Sequence, residues 1–165
     1  MRALKILALV LVPLACVAAC DKKSYAATTG SYDTSPDSNK RFLADYAARD
    51  GVKKTESGLM YRVLKAGTGP TVQKNNDVVT VYYKGALITG KVFDQTKPEE
   101  PAQFLAGGLI PGWVEALKLM KTGDTWEIVV PADLAYGAEG GPGGSIPPDQ
   151  ALVFTMSLTK VEYAP

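Results

Sequence analysis

The stretch Ala-Leu-Val-Phe-Thr-Met-Ser-Leu-Thr-Lys-Val at residues 151–161 alternates apolar and polar side chains. In an extended chain Leu152, Phe154, Met156 and Leu158 lie on one face, and small hydroxyl residues lie on the other. This period of two predicts a β-strand with one face in the core.

Three more segments show strand patterns, at residues 59–64, 78–87 and 125–130. In the last two, the alternation gives each strand one apolar face that a core would cover. The side chains on these two faces are Val79, Val81, Tyr83, Trp126, Ile128 and Val130.

One short amphipathic helix is predicted at residues 112–120, between the strands at 78–87 and 125–130. Trp113, Leu117 and Met120 are spaced by four and three, and Gly123 is placed to close the helix. A single helix against a curved antiparallel sheet is an α+β architecture, which is the predicted fold class.

A second short helix is predicted ahead of the sheet, at residues 38–51. Phe42 and Tyr46 share a face, Ser38 is placed to cap the start, and Gly51 is placed to stop the helix. Because about three turns are marginal alone, we expect this linker helix to dock on the domain. The polar and small residues at 20–37 predict a flexible tether.

Residues 1–19 have the charge and length of a signal peptide, with basic residues before an apolar run too short to span a bilayer comfortably. The sequence Val-Ala-Ala-Cys at 17–20 is similar to a bacterial lipobox, which predicts Cys20 as the lipidated N-terminus. The alternatives are an ordinary signal peptide cut after Ala19 or Ala27 and, least favoured, an uncleaved membrane helix.

The composition excludes several kinds of chemistry. A net charge of +1 without a basic stripe predicts no nucleic-acid partner. The chain has no histidine, which rules out His-dependent nucleophiles and His-containing metal sites. Since Cys16 and Cys20 both lie at the N-terminal edge, we expect no metal, cofactor or disulfide in the domain. Any catalysis must work through shape, desolvation, carboxylates, hydroxyls and backbone amides.

Five short signatures follow one another in the second half of the chain. They are Val-Phe-Asp at 92–94, Ile-Pro-Gly-Trp at 110–113, Ala-Tyr-Gly at 135–137, Ile-Pro-Pro at 146–148 and Leu-Val-Phe at 152–154. Together they predict an apolar pocket with one polar edge. The segment 131–150, here called the flap, has five glycines and four prolines, and the prolines favour an ordered loop.

The order and spacing of these signatures resemble the FK506-binding-protein-type peptidyl-prolyl isomerases, over about residues 57–162. The resemblance implies an isomerase domain at 52–165. Residues 42–59 resemble the linker before that domain in the macrophage-infectivity-potentiator branch. That branch usually carries a long helical region that dimerises; since the sequence leaves no room for it, we expect a monomer.

The resemblance also implies a role for each pocket residue. Trp113 would form the floor under a substrate proline ring, while the Tyr136 hydroxyl and the Ile110 backbone N–H would bind substrate carbonyls. The residues implied as catalytic are Tyr83, Phe93, Asp94 and Tyr136, and those implied as substrate-binding are Leu109, Ile110, Trp113, Ile146 and Phe154.

Asp94 has two interpretations. It could orient the twisted carbonyl of the substrate, directly or through Tyr83, or it could cap backbone amides or pair with a lysine such as Lys97. The resemblance favours the first interpretation.

Two departures from the family pattern affect ligand binding. Ala102 stands where drug-binding eukaryotic relatives usually carry a phenylalanine, and the flap tip at 140–145 lacks bulky side chains. The resemblance makes macrolides such as FK506 candidate ligands, but the missing wall and the small flap tip leave their affinity open.

The sequence thus predicts a prolyl isomerase that is lipid-anchored in a bacterial envelope, faces the periplasm, and acts on exported proline-containing polypeptides. A proline-chain-binding chaperone or adaptor with little turnover is the alternative, and a structural lipoprotein with a decayed pocket is a third reading. Asp21 beside Cys20 leaves the choice of inner or outer membrane open.

Overall fold

The computed structural model describes residues 31–165, so the predicted signal peptide and Cys20 lie outside the described residues. None of the helices within 31–165 has the length and apolar character needed to cross a membrane. The elements in chain order are α1 (Pro36–Ala47), β1 (Lys53–Lys54), β2 (Met60–Lys65), β3 (Val78–Leu87), β4 (Val92–Gln95), β5 (Ala102–Leu105), α2 (Pro111–Leu119), β6 (Thr125–Val130) and β7 (Leu152–Glu162).

The strands form one antiparallel sheet in the order β1-β2-β6-β7-β3-β4, with β5 also paired to β3. The two longest strands, β3 and β7, pair from Val78 opposite Glu162 to Leu87 opposite Leu152. The predicted α+β class is confirmed. Strands β3 and β6 have the predicted bounds, and β2 and β7 begin one residue later.

Three strands were not predicted. Strand β1 has two residues, and β4 and β5 have four each. Their side chains are mostly exposed or half-buried, so no long apolar alternation marks them in the sequence. Tertiary pairing to β2 and β3 holds these short strands in the sheet.

The main core lies between the sheet and α2. The faces predicted to be apolar do point into it, which confirms the alternation read from the sequence. Their fully or nearly buried members are Val79, Val81, Trp126, Ile128, Val130, Leu152, Phe154, Met156 and Leu158, and α2 adds Trp113, Ala116 and Leu117.

A smaller second cluster holds α1 on the domain, as expected for the linker helix. Phe42 and Tyr46 are buried there against Met60 and Val129. The Tyr46 hydroxyl donates a hydrogen bond of 3.0 Å to Glu127. Since neighbouring β6 residues alternate between the two clusters, α1 and α2 cover opposite faces of β6.

The start of α1 differs from the prediction. Ser35, rather than Ser38, is the N-cap, and its side chain accepts a hydrogen bond from the Ser38 N–H. Pro36 follows at the first helical position, where its missing N–H costs nothing, so the helix begins earlier than expected. The helix ends at Ala47, before Gly51, which lies in the next turn with a φ of 75°.

The predicted tether also ends earlier than residue 37. The Tyr32 ring packs edge-to-face on Phe42, with ring centroids 5.1 Å apart. Its hydroxyl donates a hydrogen bond of 2.6 Å to Asp45. The chain is therefore fixed to α1 from Tyr32 onward.

A buried carboxylate organises the turn before β3. Asp77 is inaccessible to solvent and accepts hydrogen bonds from the backbone N–H groups of Gln73 and Lys74, at 2.8 Å each, and of Ala164, at 3.1 Å. These bonds, led by that from Lys74, lower the pKa of Asp77 below its ordinary value of 3.8, against the opposing effect of burial.

We expect Asp77→Asn to lower the melting temperature at pH 7 but much less near pH 2. A carboxylate with a lowered native pKa contributes stability above its unfolded pKa and loses it as pH falls through the native value. The difference between wild type and variant should therefore shrink as pH falls below 3.8. Thermal unfolding of both proteins from pH 2 to 7 measures this; a difference that stays constant would contradict it.

Candidate active site

The first turn of α2 lies close to the sheet. Pro111 and Gly112 begin the helix. A Cβ on Gly112 would lie only 2.4 Å from the Cγ1 of Val130, so glycine permits the approach. This packing brings the indole of Trp113, only 4% exposed, against the inner face of the sheet.

Three aromatic rings surround Trp113. Tyr83, Phe154 and Phe104 each present a ring nearly perpendicular to the indole, with centroid distances of 5.1, 5.2 and 6.2 Å. Edge-to-face contacts of this kind add to the stability from burial alone. Together with Phe93, these rings are called the aromatic slot below.

Phe93 completes the aromatic slot by meeting Phe154 edge-to-face, with centroids 5.7 Å apart. Strand β3 runs between the two strands that carry these rings, and Gly85 of β3 pairs with Asp94 and Phe154. A Cβ on Gly85 would lie 2.8 Å from the Phe93 ring and 2.7 Å from the Phe154 ring. The meeting of the two rings therefore depends on a glycine at 85.

The polar edge of the aromatic slot is formed by Tyr83 and Asp94. The Tyr83 hydroxyl donates a hydrogen bond of 2.5 Å to the Asp94 carboxylate. Burial raises the pKa of Tyr83, and so do this hydrogen bond and the negative charge of Asp94, so the phenol stays protonated at physiological pH. Lys97, the alternative partner of Asp94, pairs with Glu100 at 3.2 Å.

The flap is built from three short 3₁₀ turns, at Ala132–Leu134, Gly137–Glu139 and Pro142–Gly144. Its two arms are joined where the Gly141 N–H donates to the Ile146 carbonyl, at 2.9 Å. Ile146 is buried in the main core, and Tyr136 packs half-buried against the same core.

Leu109 and Ile110 pack half-buried against the same core, just before α2. The Ile110 carbonyl accepts hydrogen bonds from the backbone N–H groups of Trp113 and Val114, at 2.9 and 3.2 Å. No acceptor for the Ile110 N–H is found within residues 31–165. That donor is free to bind a carbonyl from outside the chain.

The structure brings five of the nine predicted pocket residues into direct contact, namely Tyr83, Phe93, Asp94, Trp113 and Phe154. The other four belong to the same core or pack against it; they are Leu109, Ile110, Tyr136 and Ile146. Their individual roles in catalysis or binding stay predictions. Cys20, the predicted lipidation site, lies outside the described residues.

Sequence reasoning missed two members of this site. Phe104 lies on β5, two residues beyond Ala102, and its ring packs on Trp113 and Tyr83. Ala102 and Phe104 share a face once β5 is known, but the sequence did not predict β5. Gly85 stands inside a long strand, and an isolated glycine in a strand often marks a close approach.

A separate shallow groove of about 360 Å³ lies between α1 and the turn before β2. Leu43, Met60 and Pro131 are among its lining residues. None of the predicted pocket residues lines it, so it is distinct from the aromatic slot.

The fold and the ring-lined site define an α+β domain with a cluster of aromatic rings around Trp113 and a Tyr–Asp polar edge. Residues 69–159 match the family model described as FKBP-type peptidyl-prolyl cis-trans isomerase. Residues 15–63 match the model of the domain amino-terminal to such isomerases. The chain belongs to the FKBP-type peptidyl-prolyl cis-trans isomerase family.

Curated relatives support the same family. The chain is 47% identical over 122 residues to the FKBP-type 22 kDa peptidyl-prolyl cis-trans isomerase of Escherichia coli strain K12, covering 73% of this chain and 58% of the relative. It is 48% identical over 124 residues to the outer membrane protein MIP of Legionella longbeachae, covering 74% and 52%. The chain thus spans about half the length of the curated relatives it matches.

Solved structures agree with the fold. An isomerase from Pseudomonas syringae pv. tomato has a TM-score of 0.71 at 40% identity, with 77% of this chain and 92% of that chain covered. FkpA from Escherichia coli has a TM-score of 0.71 at 44% identity, with 77% and 59% covered. The predicted resemblance to this family and to its Mip branch is confirmed.

Proposed function

We propose that this protein is a peptidyl-prolyl cis-trans isomerase that accelerates X-Pro isomerisation in proline-containing polypeptides. One observation carries the proposal: the rings of Tyr83, Phe104 and Phe154 stand edge-on around the buried indole of Trp113. A buried indole with aromatic rings around it offers an apolar surface that suits a compact apolar ring like that of proline.

The reaction needs little chemistry from the protein. The imide bond has partial double-bond character, and its rotational barrier is about 18–20 kcal/mol. In the twisted transition state resonance is lost, so the carbonyl oxygen carries less charge and depends less on water. A dry aromatic cleft disfavours the planar, polar ground state relative to the twisted state. No proton transfer or covalent intermediate is required.

The polar groups at the rim orient the substrate. The unpaired Ile110 N–H offers a hydrogen bond to a substrate carbonyl. Tyr136, which packs against the same core from the flap, offers its hydroxyl to a second carbonyl. Asp94 is held by Tyr83 and places a negative charge beside the cleft, which orients the dipole of the twisting imide.

The alternative function is a chaperone or adaptor that holds proline-containing segments with little turnover. The same cleft would serve it, because binding a proline ring does not require acceleration of its isomerisation. The Tyr83–Asp94 pair favours the enzyme. A carboxylate held beside an apolar cleft can orient the dipole of the twisting imide, and binding of a proline ring alone does not require this.

A protease-free isomerisation assay on a proline-containing peptide, run beside a binding titration with the same peptide, separates the two functions. An isomerase shortens the exchange time, and we expect Asp94→Ala to lower kcat about tenfold, with peptide affinity changed much less. If wild type binds the peptide without accelerating its isomerisation, the chaperone or adaptor function is favoured over the enzyme.

We also propose that Cys20 carries a lipid anchor that holds the protein in a bacterial envelope, facing the periplasm. The Val-Ala-Ala-Cys sequence at 17–20 supports this, and one relative is named an outer membrane protein. We expect Cys20→Ser to abolish incorporation of labelled palmitate and to move the protein from the membrane fraction to the soluble fraction. A variant that stays in the membrane fraction would contradict the anchor.

Two further properties complete the proposal. The protein is proposed to be a monomer, which sedimentation at increasing concentration tests.

Macrolides such as FK506 are proposed to compete with peptide for the aromatic slot. We expect Ala102→Phe to tighten FK506 binding, because a ring there would supply the missing wall beside Phe104 on β5.

A further inference from the structure

The segment that begins α1 is tied to the end of the flap by side chains far apart in the sequence. Asn39 is buried, and its Oδ1 accepts a hydrogen bond of 2.9 Å from the Ala151 N–H. Its Nδ2 donates to the Ser35 carbonyl at the start of α1, at 3.0 Å, and to the Gln150 side chain at 3.4 Å. Gln150, also buried, donates at 2.9 Å both to the carbonyl of Thr34 and to that of Pro148.

These bonds act where the flap leaves the sheet. Pro148 is in the flap, Gln150 ends it, and Ala151 leads into β7. At the same place the Asp149 N–H donates to the Gly137 carbonyl at 2.8 Å, which closes the base of the flap. Asp149 has a φ of 56°, uncommon for a residue other than glycine, so its conformation depends on the bonds around it.

We propose that α1 is a positioning element for the active site, in which Asn39 and Gln150 hold the flap over the aromatic slot. The flap carries Tyr136 and Ile146, so its closed arrangement completes the site. Neither Asn39 nor Gln150 touches the aromatic slot, and both act through the flap. This inference rests on the proposed isomerase function for its effect on turnover, but not for its effect on the flap.

The chain offers a matched control on the same helix. The hydroxyl of Tyr46 donates to Glu127 and anchors α1 to β6, away from the flap. Tyr46→Phe removes that anchor and leaves the bonds of Asn39 in place. Leucine has a branched side chain close in size to that of asparagine, so Asn39→Leu removes every hydrogen bond made by the side chain and keeps its approximate shape. Both variants weaken the docking of α1, and Asn39→Leu alone releases the flap.

Hydrogen–deuterium exchange of the backbone amides at 137–151 measures how readily the flap opens. We expect Asn39→Leu to speed this exchange at least about fivefold, the effect of losing the bond to the Ala151 N–H alone, with little change in Tyr46→Phe. Asn39→Asp keeps an oxygen that accepts from Ala151 and should recover part of the protection. Equal exchange in wild type and Asn39→Leu, or equal acceleration in Tyr46→Phe, would overturn the proposal.

Turnover supplies a second readout. An open flap lowers the fraction of protein competent to bind, for ground state and transition state alike. Asn39→Leu should therefore raise KM, by no more than the factor seen in amide exchange, and leave kcat near that of wild type. A lower kcat at unchanged KM would contradict the positioning role. If wild type shows no turnover, the isomerase proposal fails while the exchange experiment still decides the role of α1.

Discussion

Gly85→Ala is expected to lower kcat/KM for a proline-containing peptide by about tenfold to a hundredfold. The added methyl group would lie 2.7 Å from the Phe154 ring and 2.8 Å from the Phe93 ring. Gly85 is paired in the ladder with β4 and β7, so its backbone cannot shift without breaking hydrogen bonds. The rings must move instead, at a cost of about 1–3 kcal/mol, and the aromatic slot loses its shape.

Gly108→Ala is the matched control. A Cβ at Gly108 would meet only the Leu105 carbonyl oxygen at 3.5 Å and its Cβ at 3.7 Å, which are ordinary contacts. This variant should keep the turnover of wild type. If Gly85→Ala were as active as Gly108→Ala while correctly folded, the meeting of Phe93 and Phe154 would not matter for catalysis.

Trp113→Ala is expected to reduce the free energy of unfolding by about 3–5 kcal/mol and to abolish detectable peptide binding. The indole is 4% exposed and contacts three rings, so its removal leaves a cavity beneath the proposed binding site. Denaturant unfolding followed by circular dichroism gives the stability, and a peptide titration gives the binding.

Because Trp113→Ala is destabilising enough to threaten the fold, Trp113→Phe separates stability from function. Phenylalanine keeps an aromatic floor and should restore most of the stability, with partial recovery of peptide affinity. Full peptide affinity in a folded Trp113→Ala protein would show that proline binds elsewhere.

The long strands and α2 were predictable because each buries one face, which leaves a period in the sequence. The face of β7 that carries Phe154 and Met156 shows this plainly, as does the spacing of Trp113 and Leu117 in α2. The signatures around these elements predicted nine pocket residues. The structure brings five of them into contact and packs the other four in or against the same core, and their roles stay predictions.

Features that depend on tertiary contact were not predictable. Strands β4 and β5 are short and exist because β3 pairs with them, so Phe104 had no visible place in the pocket. The role of Gly85 follows from two rings that approach from different strands. The start of α1 was misplaced for a local reason instead: Pro36 after Ser35 marks the first helical position in the sequence, and the prediction from Ser38 overlooked it.

The most direct test of the central claim, that the aromatic slot catalyses prolyl isomerisation, is a protease-free assay comparing wild type, Phe93→Ala and Val92→Ala. Val92 is the exposed neighbour of Phe93 on β4 and serves as the control. We predict strong acceleration by wild type and Val92→Ala, and a loss of at least about tenfold in Phe93→Ala. Wild-type rates in a correctly folded Phe93→Ala protein would contradict the account.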